Sequence, residues 1–498
     1  MLYRGISGEE AEMTFNSLEF LLFYPVVALL YFVLPKKAKW PMLLVASYYF
    51  YAFYQAQLLF LIVATTLISW ISSRIIWRSQ RLALRRALLA LTLVVCLGVL
   101  FFYKYFNFLS GSVTGLIELF GGTPTRVELD LVLPVGISFY TFQTLSYVID
   151  VYRGDVEPEK NFFFYALFVS FFPQLVAGPI ERPGNLIPQL KESHAWSDAD
   201  AVKGTKHMLV GFFKKICVAD MISVYVNSVY NEPESATALG IIIATALFAV
   251  QIYCDFSGYT DIAIGCARVM GIRLMQNFDH PYMATSIKEF WSRWHISLSS
   301  WFKDYLYIPL GGNRRGRARA QLNVFIVFLV SGLWHGASWT FVLWGAIHGV
   351  YQILGSLTKD LRNRALNKLG ISENNFGVKW CRRVGVFLLV SFAWLFFRAN
   401  SMADAALLLD RLFVSGWSVG LSDTLSAMGL NTYGCIMTAL SVLTLIMIDR
   451  MVVYGDGRDL SDLVTRRASF IYYVWIVLLC WIQLLSGDMT STFIYFQF

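Results

Sequence analysis

The sequence predicts an all-α protein that crosses a membrane many times, and three observations lead to this fold class. Of the 498 residues, 57% are hydrophobic and only 15% are charged, whereas about a quarter of the residues of a soluble domain are charged. The apolar residues lie in long runs, several of which approach the roughly 20 residues that a helix needs to cross hydrocarbon. Tyrosine and tryptophan often stand near the ends of these runs, as they do at membrane interfaces.

We expect about eleven complete or partial crossings. The clearest apolar runs are residues 18–34, 58–77, 87–102, 236–252, 384–397, 433–448 and 470–485. The polar stretches between them are too short to fold alone, so we predict a single domain over residues 1–498. Residues 1–12 are polar and acidic, and we interpret them as a non-native or flexible extension before a more natural start at Met13. Residues 487–498 form an aromatic C-terminal tail.

Basic residues indicate which loops face the cytoplasm. Lysines follow the first predicted crossing at residues 36–39, and arginines at residues 78–86 follow the third crossing, which ends near residue 77. Loops after the first and the third crossing lie on the same face by parity. The protein is therefore predicted to be a multi-pass cell-membrane protein with both termini extracytoplasmic. The net charge of +8 fits this positive-inside bias, which we favour strongly over nucleic-acid binding.

Four apolar segments contain glycine, proline or carboxylates that regular spanning helices rarely carry. They are residues 134–143, 171–183, 254–261 and 307–316. Non-helical backbone at membrane depth is tolerated only where protein or a wet cavity surrounds it. These segments therefore predict re-entrant structure around a central funnel or tunnel.

Two of the six histidines are candidates for chemistry. His295 lies in the sequence WSRWHISLS and His335 lies in SGLWHGAS, within an apolar run. A histidine can accept a proton near neutral pH, and ionisable groups at membrane depth usually serve a function. The alternatives are a buried core histidine for His335 and an interfacial capping residue for His295, and spacing alone favours these alternatives.

Other kinds of site fit the sequence less well. The two histidines are 40 residues apart and neither has a histidine partner four residues away, so we predict no metal site. Asp255 and Asp261 could ligate a hard cation, but a hydrogen-bonding role fits better. The sequence contains no GxSxG and no cysteine beside a histidine. The seven cysteines are interpreted as packing residues.

A basic cluster follows Gly311 and Gly312. Its members are Arg314, Arg315, Arg317 and Arg319. The cluster either anchors the cytoplasmic face or binds a phosphate-rich ligand at a cytoplasmic opening. We predict that Arg314 and Arg315, together with Asn313 and Ser297, bind such a ligand.

Long motifs around the two histidines resemble the membrane-bound O-acyltransferase family, in its alginate O-acetyltransferase-like branch. They are WSRWHISLSSWFKDYLYIPLGG (291–312) and SGLWHGASWTFVLWGAIHG (331–349). Further matches are NSLEFLLFYP (16–25), PVGISFYTFQ (134–143), LVAGPI (175–180) and CDFSGYTDIAIG (254–265). The resemblance covers nearly the whole chain in order.

The resemblance implies an acetyltransferase that uses cytoplasmic acetyl-CoA. The acetyl group would reach an exported polysaccharide through an extracytoplasmic SGNH-hydrolase-like partner. His335 matches the principal histidine of the family and His295 matches its second histidine. The C-terminal FIYFQF resembles an aromatic motif in which the tyrosine carries the acyl group, so Tyr495 is a predicted relay; its alternative is an interfacial anchor.

Two other functions stay open at this stage. One is transfer of D-alanine or another acyl group from a carrier-protein thioester to a cell-envelope polymer. The other is a transporter or export subunit without chemistry, in which the histidines line a pore.

Overall fold

The computed structural model describes residues 13–176, 178–454 and 466–485, and these residues form α-helices joined by turns, with no β-strand among them. They fall into two compact units. The first contains the described residues up to Met208 together with Ile262–Met275, and the second contains Leu209–Asp261 and the described residues from Gln276 onward. The chain passes between the units inside two helices, Asp198–Phe212 and Ala238–Val269. The extension 1–12 and the tail 487–498 lie outside the described residues, and the single-domain assignment stays a prediction.

The first unit is built mainly from nine helices and the start of a tenth. They are α1 Leu18–Val33, α2 Lys36–Gln55, α3 Leu59–Arg78, α4 Leu82–Leu100, α5 Phe106–Leu119, α6 Ile137–Arg153, α7 Phe162–Ser170, α8 Phe172–Leu175, α9 Pro183–Lys191 and α10 Asp198–Phe212. Its interior contains a face of small hydroxyl side chains on α3, which packs against α4, α6 and α7. Ser69 on this face shares a 2.8 Å hydrogen bond with Tyr165 of α7. Hydroxyls that bond within the helix or to such a partner can be buried without leaving an unpaired polar group.

The second unit holds the remaining helices. They are α11 Met221–Tyr230, α12 Ala238–Val269, α13 Ile287–Arg293, α14 Ile296–Phe302, α15 Arg317–His335, α16 Trp339–Leu357, α17 Lys359–Lys368, α18 Phe376–Arg398, α19 Met402–Asp410, α20 Leu421–Ala427, α21 Thr432–Tyr454 and α22 Arg466–Leu485. Trp294, Trp344 and Trp394 are completely buried at its centre. Their rings contact one another at centroid distances of 5.2 Å for Trp294–Trp394 and 5.6 Å for Trp344–Trp394.

Helices α15 and α16 lie in backbone contact because glycines face each other across them. A Cβ atom on Gly332 would overlap the carbonyl oxygen of Phe341, and one on Gly345 would overlap that of Phe328. Small residues let helix backbones approach in this way, and membrane proteins use them to pack helices tightly. The contact fixes the two helices that carry most of the second long motif.

The membrane prediction is confirmed, although the count of eleven crossings is not. Among the described residues, six helical stretches are long and apolar enough to cross a membrane. They are Ala56–Arg78, Leu82–Leu119, Ala238–Val269, Trp339–Leu357, Phe376–Arg398 and Thr432–Asp449. Leu18–Val33 and Tyr473–Leu484 are shorter apolar helices.

Two of the four predicted breaks are irregular and two are not. Residues 307–316 form successive turns with left-handed glycines at 311 and 312, and 171–183 contains only a four-residue helix, α8, followed by loop. The prediction was wrong for residues 254–261, which lie inside the continuous helix α12, and for most of 134–143, because α6 begins at Ile137.

Candidate functional site

The end of helix α15 places His335 inside the second unit. His335 is the last residue of the helix and only 3% of its surface is exposed. Its ring lies 4.9 Å from Trp334, 5.0 Å from Trp344 and 5.4 Å from Phe397, measured between centroids. A helix C-terminus carries partial negative charge, so this position favours the positive charge that an imidazole gains when it accepts a proton.

His295 precedes helix α14 in an unusual backbone conformation. Its φ is 45° and its ψ is 56°, in the left-handed region that residues other than glycine rarely occupy. The side chain is completely buried. Strain of this kind persists where the surrounding structure enforces it, and it is frequent at functional sites.

Asn277 holds this strained turn in place. Its backbone carbonyl accepts the N–H of Ile296 at 2.9 Å, and its side-chain Oδ1 accepts the hydroxyl of Ser297 at 2.8 Å. The same Oδ1 lies 3.1 Å from Nδ1 of His295. Because Oδ1 is an acceptor, Nδ1 of His295 donates the hydrogen, and in the neutral ring Nε2 is then the basic nitrogen.

The two predicted histidines come together on one tryptophan. The ring of Trp334 lies 5.8 Å from His295 and 4.9 Å from His335, and all three residues belong to the second unit. Phe256 of α12 covers His295 from another direction, with the centroids 4.7 Å apart. Segments 40 residues apart in sequence thus meet in one buried, aromatic-lined place.

The four predicted ligand-binding residues differ in burial. Ser297 is buried and hydrogen-bonded beside His295. Asn313, Arg314 and Arg315 are exposed in the turns that precede α15. The buried side chain of Asn323 stabilises those turns, because its Nδ2 donates to the carbonyl of Gly312 at 2.9 Å.

The carboxylates of residues 254–261 pair with lysines. Asp255 lies 2.8 Å from Nζ of Lys215, which also pairs with Asp220 at 2.8 Å, and Asp261 lies 2.7 Å from Nζ of Lys214. The sequence predicted a hydrogen-bonding pair of aspartates at a helix start; both aspartates are hydrogen-bonded, but to lysines and within the continuous helix α12. No cluster of three or more metal-ligating side chains occurs among the described residues.

Sequence reasoning missed two residues at this site, Asn277 and His348. His348 is completely buried on α16 and its ring lies 4.9 Å from Trp344, the same ring that contacts His335. Its four-residue spacing from Trp344, which places both on one helix face, was the available signal. For Asn277 no local pattern exists, since its partners are 18 to 20 residues away in sequence. Tyr495 lies outside the described residues.

Comparisons with known proteins identify the family of this chain. A model of MBOAT, the membrane-bound O-acyltransferase family, matches residues 158–397. A protein named probable alginate O-acetylase AlgI from Pseudomonas aeruginosa is 40% identical over 438 residues, which cover 86% of this chain and 81% of the relative. The protein of that name from Pseudomonas putida is 36% identical over 508 residues, covering 98% and 100%. The peptidoglycan O-acetyltransferase of Helicobacter pylori is 33% identical over 425 residues, covering 79% and 78%.

The fold class and these relatives define a polytopic membrane enzyme for acyl transfer. The chain belongs to the membrane-bound O-acyltransferase family, as the sequence motifs predicted, and it is an O-acyltransferase.

Proposed function

We propose that this enzyme transfers an acetyl group from acetyl-CoA to a hydroxyl of an exported or cell-envelope polysaccharide. The names of the similar proteins support acetyl as the group and an envelope polysaccharide as the final acceptor. The observation that carries the proposal is the meeting of His295 and His335 on Trp334 in a buried, aromatic site. Such a site can keep water away from a reactive thioester.

His335 is the general base of the proposed reaction. It removes the proton from the acceptor hydroxyl while the hydroxyl oxygen attacks the thioester carbon, and a C–O bond forms. When the C–S bond breaks, the proton passes from His335 to the departing CoA thiolate, so atoms and charges balance. His295, held by Asn277, orients one of the substrates in the same site.

The exposed turn before α15 binds the CoA end of the donor. Arginine guanidinium groups pair with phosphates through two hydrogen bonds, and Arg314 and Arg315 stand on an exposed, glycine-rich turn with Asn313. Ser297 lies beside His295 and contributes at the acyl end. The three exposed residues are therefore assigned to the CoA phosphates and the buried Ser297 to the acyl group.

The acetyl group then leaves toward the extracytoplasmic side. Tyr495 supplies the acceptor hydroxyl of the step above, so the acetyl group becomes an aryl ester while CoA leaves as the thiol. An SGNH-hydrolase-like partner then takes the acetyl group from this ester, which restores the tyrosine hydroxyl, and esterifies the polysaccharide. This part of the proposal rests on the aromatic C-terminal motif and on the extracytoplasmic termini that the basic loops predict. An aryl ester retains enough reactivity for a second transfer.

Labelled acetyl-CoA and purified enzyme test the proposal. We expect His335→Ala to lower kcat by about 10²–10⁴-fold, the usual contribution of general acid–base catalysis. The control is His207→Ala, which removes a histidine from α10 in the first unit. Full activity of His335→Ala would refute the assignment of the base.

Three further arms use the same assay. Replacing Arg314 and Arg315 by Gln should raise the KM for acetyl-CoA at constant kcat, because these residues bind the CoA phosphates equally in the ground state and in the transition state.

Tyr495→Phe should abolish acetylation of the polymer. In the wild type without its partner, mass spectrometry should detect an acetyl group linked to Tyr495. Turnover of a D-alanyl carrier protein but not of acetyl-CoA would favour the alternative substrate, and no turnover of either would favour a transporter.

A further inference from the structure

A third histidine lies next to the site and has no role in the reaction described above. His348 stands on α16, four residues after Trp344, and its side chain is completely buried. The ring of Trp344 contacts the rings of both histidines, with centroid distances of 5.0 Å to His335 and 4.9 Å to His348. His348 is therefore one aromatic ring away from the proposed base.

The hydrogen bonds of His348 determine which nitrogen carries its proton. Nε1 of Trp291 donates to Nδ1 of His348 at 3.2 Å. An indole N–H can only donate, so Nδ1 of the imidazole must be the unprotonated, accepting nitrogen. The ring is then neutral, with its single hydrogen on Nε2.

The resulting Nε2–H group is a buried donor without an acceptor in the described part of the chain. Nε1 of Trp344, one turn earlier on the same helix, is likewise buried and has no acceptor among the described residues. Buried donors are paired in the great majority of cases, because an unpaired one loses its hydrogen bond to water on folding. Two such donors one helical turn apart, beside the proposed base, indicate a ligand that brings an acceptor.

We propose that Nε2–H of His348 donates a hydrogen bond to the carbonyl oxygen of the acyl thioester. The proposal rests on the function proposed above, since it takes the thioester as the donor. When the acceptor hydroxyl attacks the carbonyl carbon, the electrons of the C=O π bond move to this oxygen. The oxyanion is stabilised by Nε2–H, with the indole N–H of Trp344 as a second donor, until the C–S bond breaks and the C=O bond forms again. His348 is in this sense a catalytic residue.

The competing explanation is that His348 only accepts the hydrogen bond of Trp291. Two substitutions separate the two roles because each keeps one of the two ring nitrogens. In His348→Asn, the amide oxygen takes the position of Nδ1 and still accepts from Trp291, but nothing replaces Nε2–H. In His348→Gln, the amide nitrogen takes the position of Nε2 and still donates, while the acceptor for Trp291 is lost.

The experiment measures kcat and KM of both variants, together with thermal unfolding and size-exclusion elution in detergent. We expect His348→Asn to lose about 10²–10³-fold in kcat, as the removal of one oxyanion donor does elsewhere, with KM little changed. We expect His348→Gln to retain kcat within about tenfold. The reverse order, equal losses, or an increase in KM alone would overturn the proposal.

A binding measurement covers the case in which His348→Asn does not fold. A ketone analogue, acetonyl-dethio-CoA, has a methylene group in place of the thioester sulfur, so it keeps the carbonyl position of acetyl-CoA and does not react by acyl transfer, whereas propyl-dethio-CoA lacks the carbonyl. The wild type should bind the ketone analogue more tightly, and His348→Gln should keep that preference. Equal binding of the two analogues by the wild type would overturn the proposal.

Failure of the proposed function gives a different result. If acetyl-CoA is not the donor, the wild type itself will be inactive with acetyl-CoA. The kcat values of His348→Asn and His348→Gln are then compared with the carrier-protein thioester as donor. The same order is expected, because that thioester has the same carbonyl group.

Discussion

At the scale of single residues, His295 occupies a backbone conformation that suits glycine better than histidine. Its φ of 45° lies in the left-handed region, where a side chain costs about 1 kcal/mol or more relative to glycine. The hydrogen bonds from Asn277 hold the turn in spite of this cost. Histidine therefore stands at a position where glycine would give the folded protein a higher stability.

The strain at His295 predicts an inverted order of stability between two variants. His295→Gly should unfold at a higher temperature than His295→Ala, by about 1 kcal/mol in the free energy of unfolding, because only glycine adopts this φ without strain. Both variants should lose most activity. The control is the same pair at His348, within a helix, where alanine should be the more stable by about 1 kcal/mol. An Ala variant that is more stable at both positions would refute the backbone argument.

Glu181 gives the stability of the protein a pH dependence. This carboxyl lies outside the six candidate membrane spans and is completely buried. It accepts hydrogen bonds from the backbone N–H of Met275 and from Asn185. Burial raises the pKa of Glu181 from about 4.5 to about 7. Between these two values the folded state binds the proton and the unfolded state does not, so this group's contribution to stability falls as the pH rises from about 4.5 to 7.

The prediction for Glu181 is a difference in pH profiles. The unfolding temperature of the wild type in detergent should fall between pH 5 and pH 8 more than that of Glu181→Gln, which has no proton to lose. Glu192→Gln, at the exposed residue that follows helix α9, should follow the wild-type profile. Parallel profiles for the wild type and Glu181→Gln would contradict the assigned pKa.

Sequence reasoning found the histidines of the site but not the residues that surround them. His295 and His335 stand in long, distinctive motifs, which identified them without any knowledge of distance. Asn277 and His348 gain their roles only from contacts with residues distant in sequence, Asn277 with Ser297 and His348 with Trp291. Such contacts depend on the packing of helices, and one sequence does not specify that packing.

At the scale of helices, the contact between α15 and α16 depends on the absence of side chains. We predict that Gly332→Ala lowers the free energy of unfolding by about 1–3 kcal/mol, the usual cost of overpacking, because the added methyl group would overlap the carbonyl oxygen of Phe341. The matched control is Gly355→Ala on α16, where a Cβ atom meets nothing within 4 Å. That variant should be neutral or more stable by up to about 1 kcal/mol. Similar thermal unfolding of both variants would contradict the close contact.

Residues 254–261 were predicted to interrupt a helix, and the reason that they do not lies in contacts with another segment. Gly258 and two aspartates suggested that residues 254–261 leave the helix. In the structure the aspartates pair with Lys214 and Lys215, and Gly258 faces the backbone of Gly211, so the helix continues. The two lysines lie 40 and 47 residues before their aspartates, within the π-helical segment Phe213–Asp220. A glycine in a helix can therefore indicate a close neighbour instead of a break.

At the scale of the whole molecule, the sequence predicted the fold class, whereas the count of about eleven crossings is not confirmed. Long apolar runs such as α3, α12 and α18 are recognisable from composition alone. Several other apolar segments, including α7 and α14, are short helices with mostly buried side chains. Composition does not distinguish burial in protein from burial in lipid, so it does not determine the number of crossings.

The predicted orientation can be tested with a cysteine of the natural sequence. Cys381 is the one exposed cysteine of the seven, and it lies near the start of α18. Residues 359–383 around it are rich in lysine and arginine, and the positive-inside rule therefore predicts that they face the cytoplasm. A membrane-impermeant maleimide should label Cys381 in inside-out vesicles and not in intact spheroplasts. Cys381→Ser should remove that label, and a cysteine introduced by Ser491→Cys should show the opposite pattern. Labelling of Cys381 from outside would reverse the topology.

The backbone contact between α15 and α16 also limits how the enzyme can admit its substrates. Gly332 and Gly345 hold the two helices together through their main chains, so His335 and His348 keep their spacing whatever the side chains around them do. His295 and Asn277, in contrast, belong to residues 276–302, where α13 and α14 have only seven residues each. We therefore expect any motion that changes the distance between His295 and His335 to occur within residues 276–302 and not at the contact between α15 and α16. If substrates enter and products leave in a fixed order, that segment is where the order would be set.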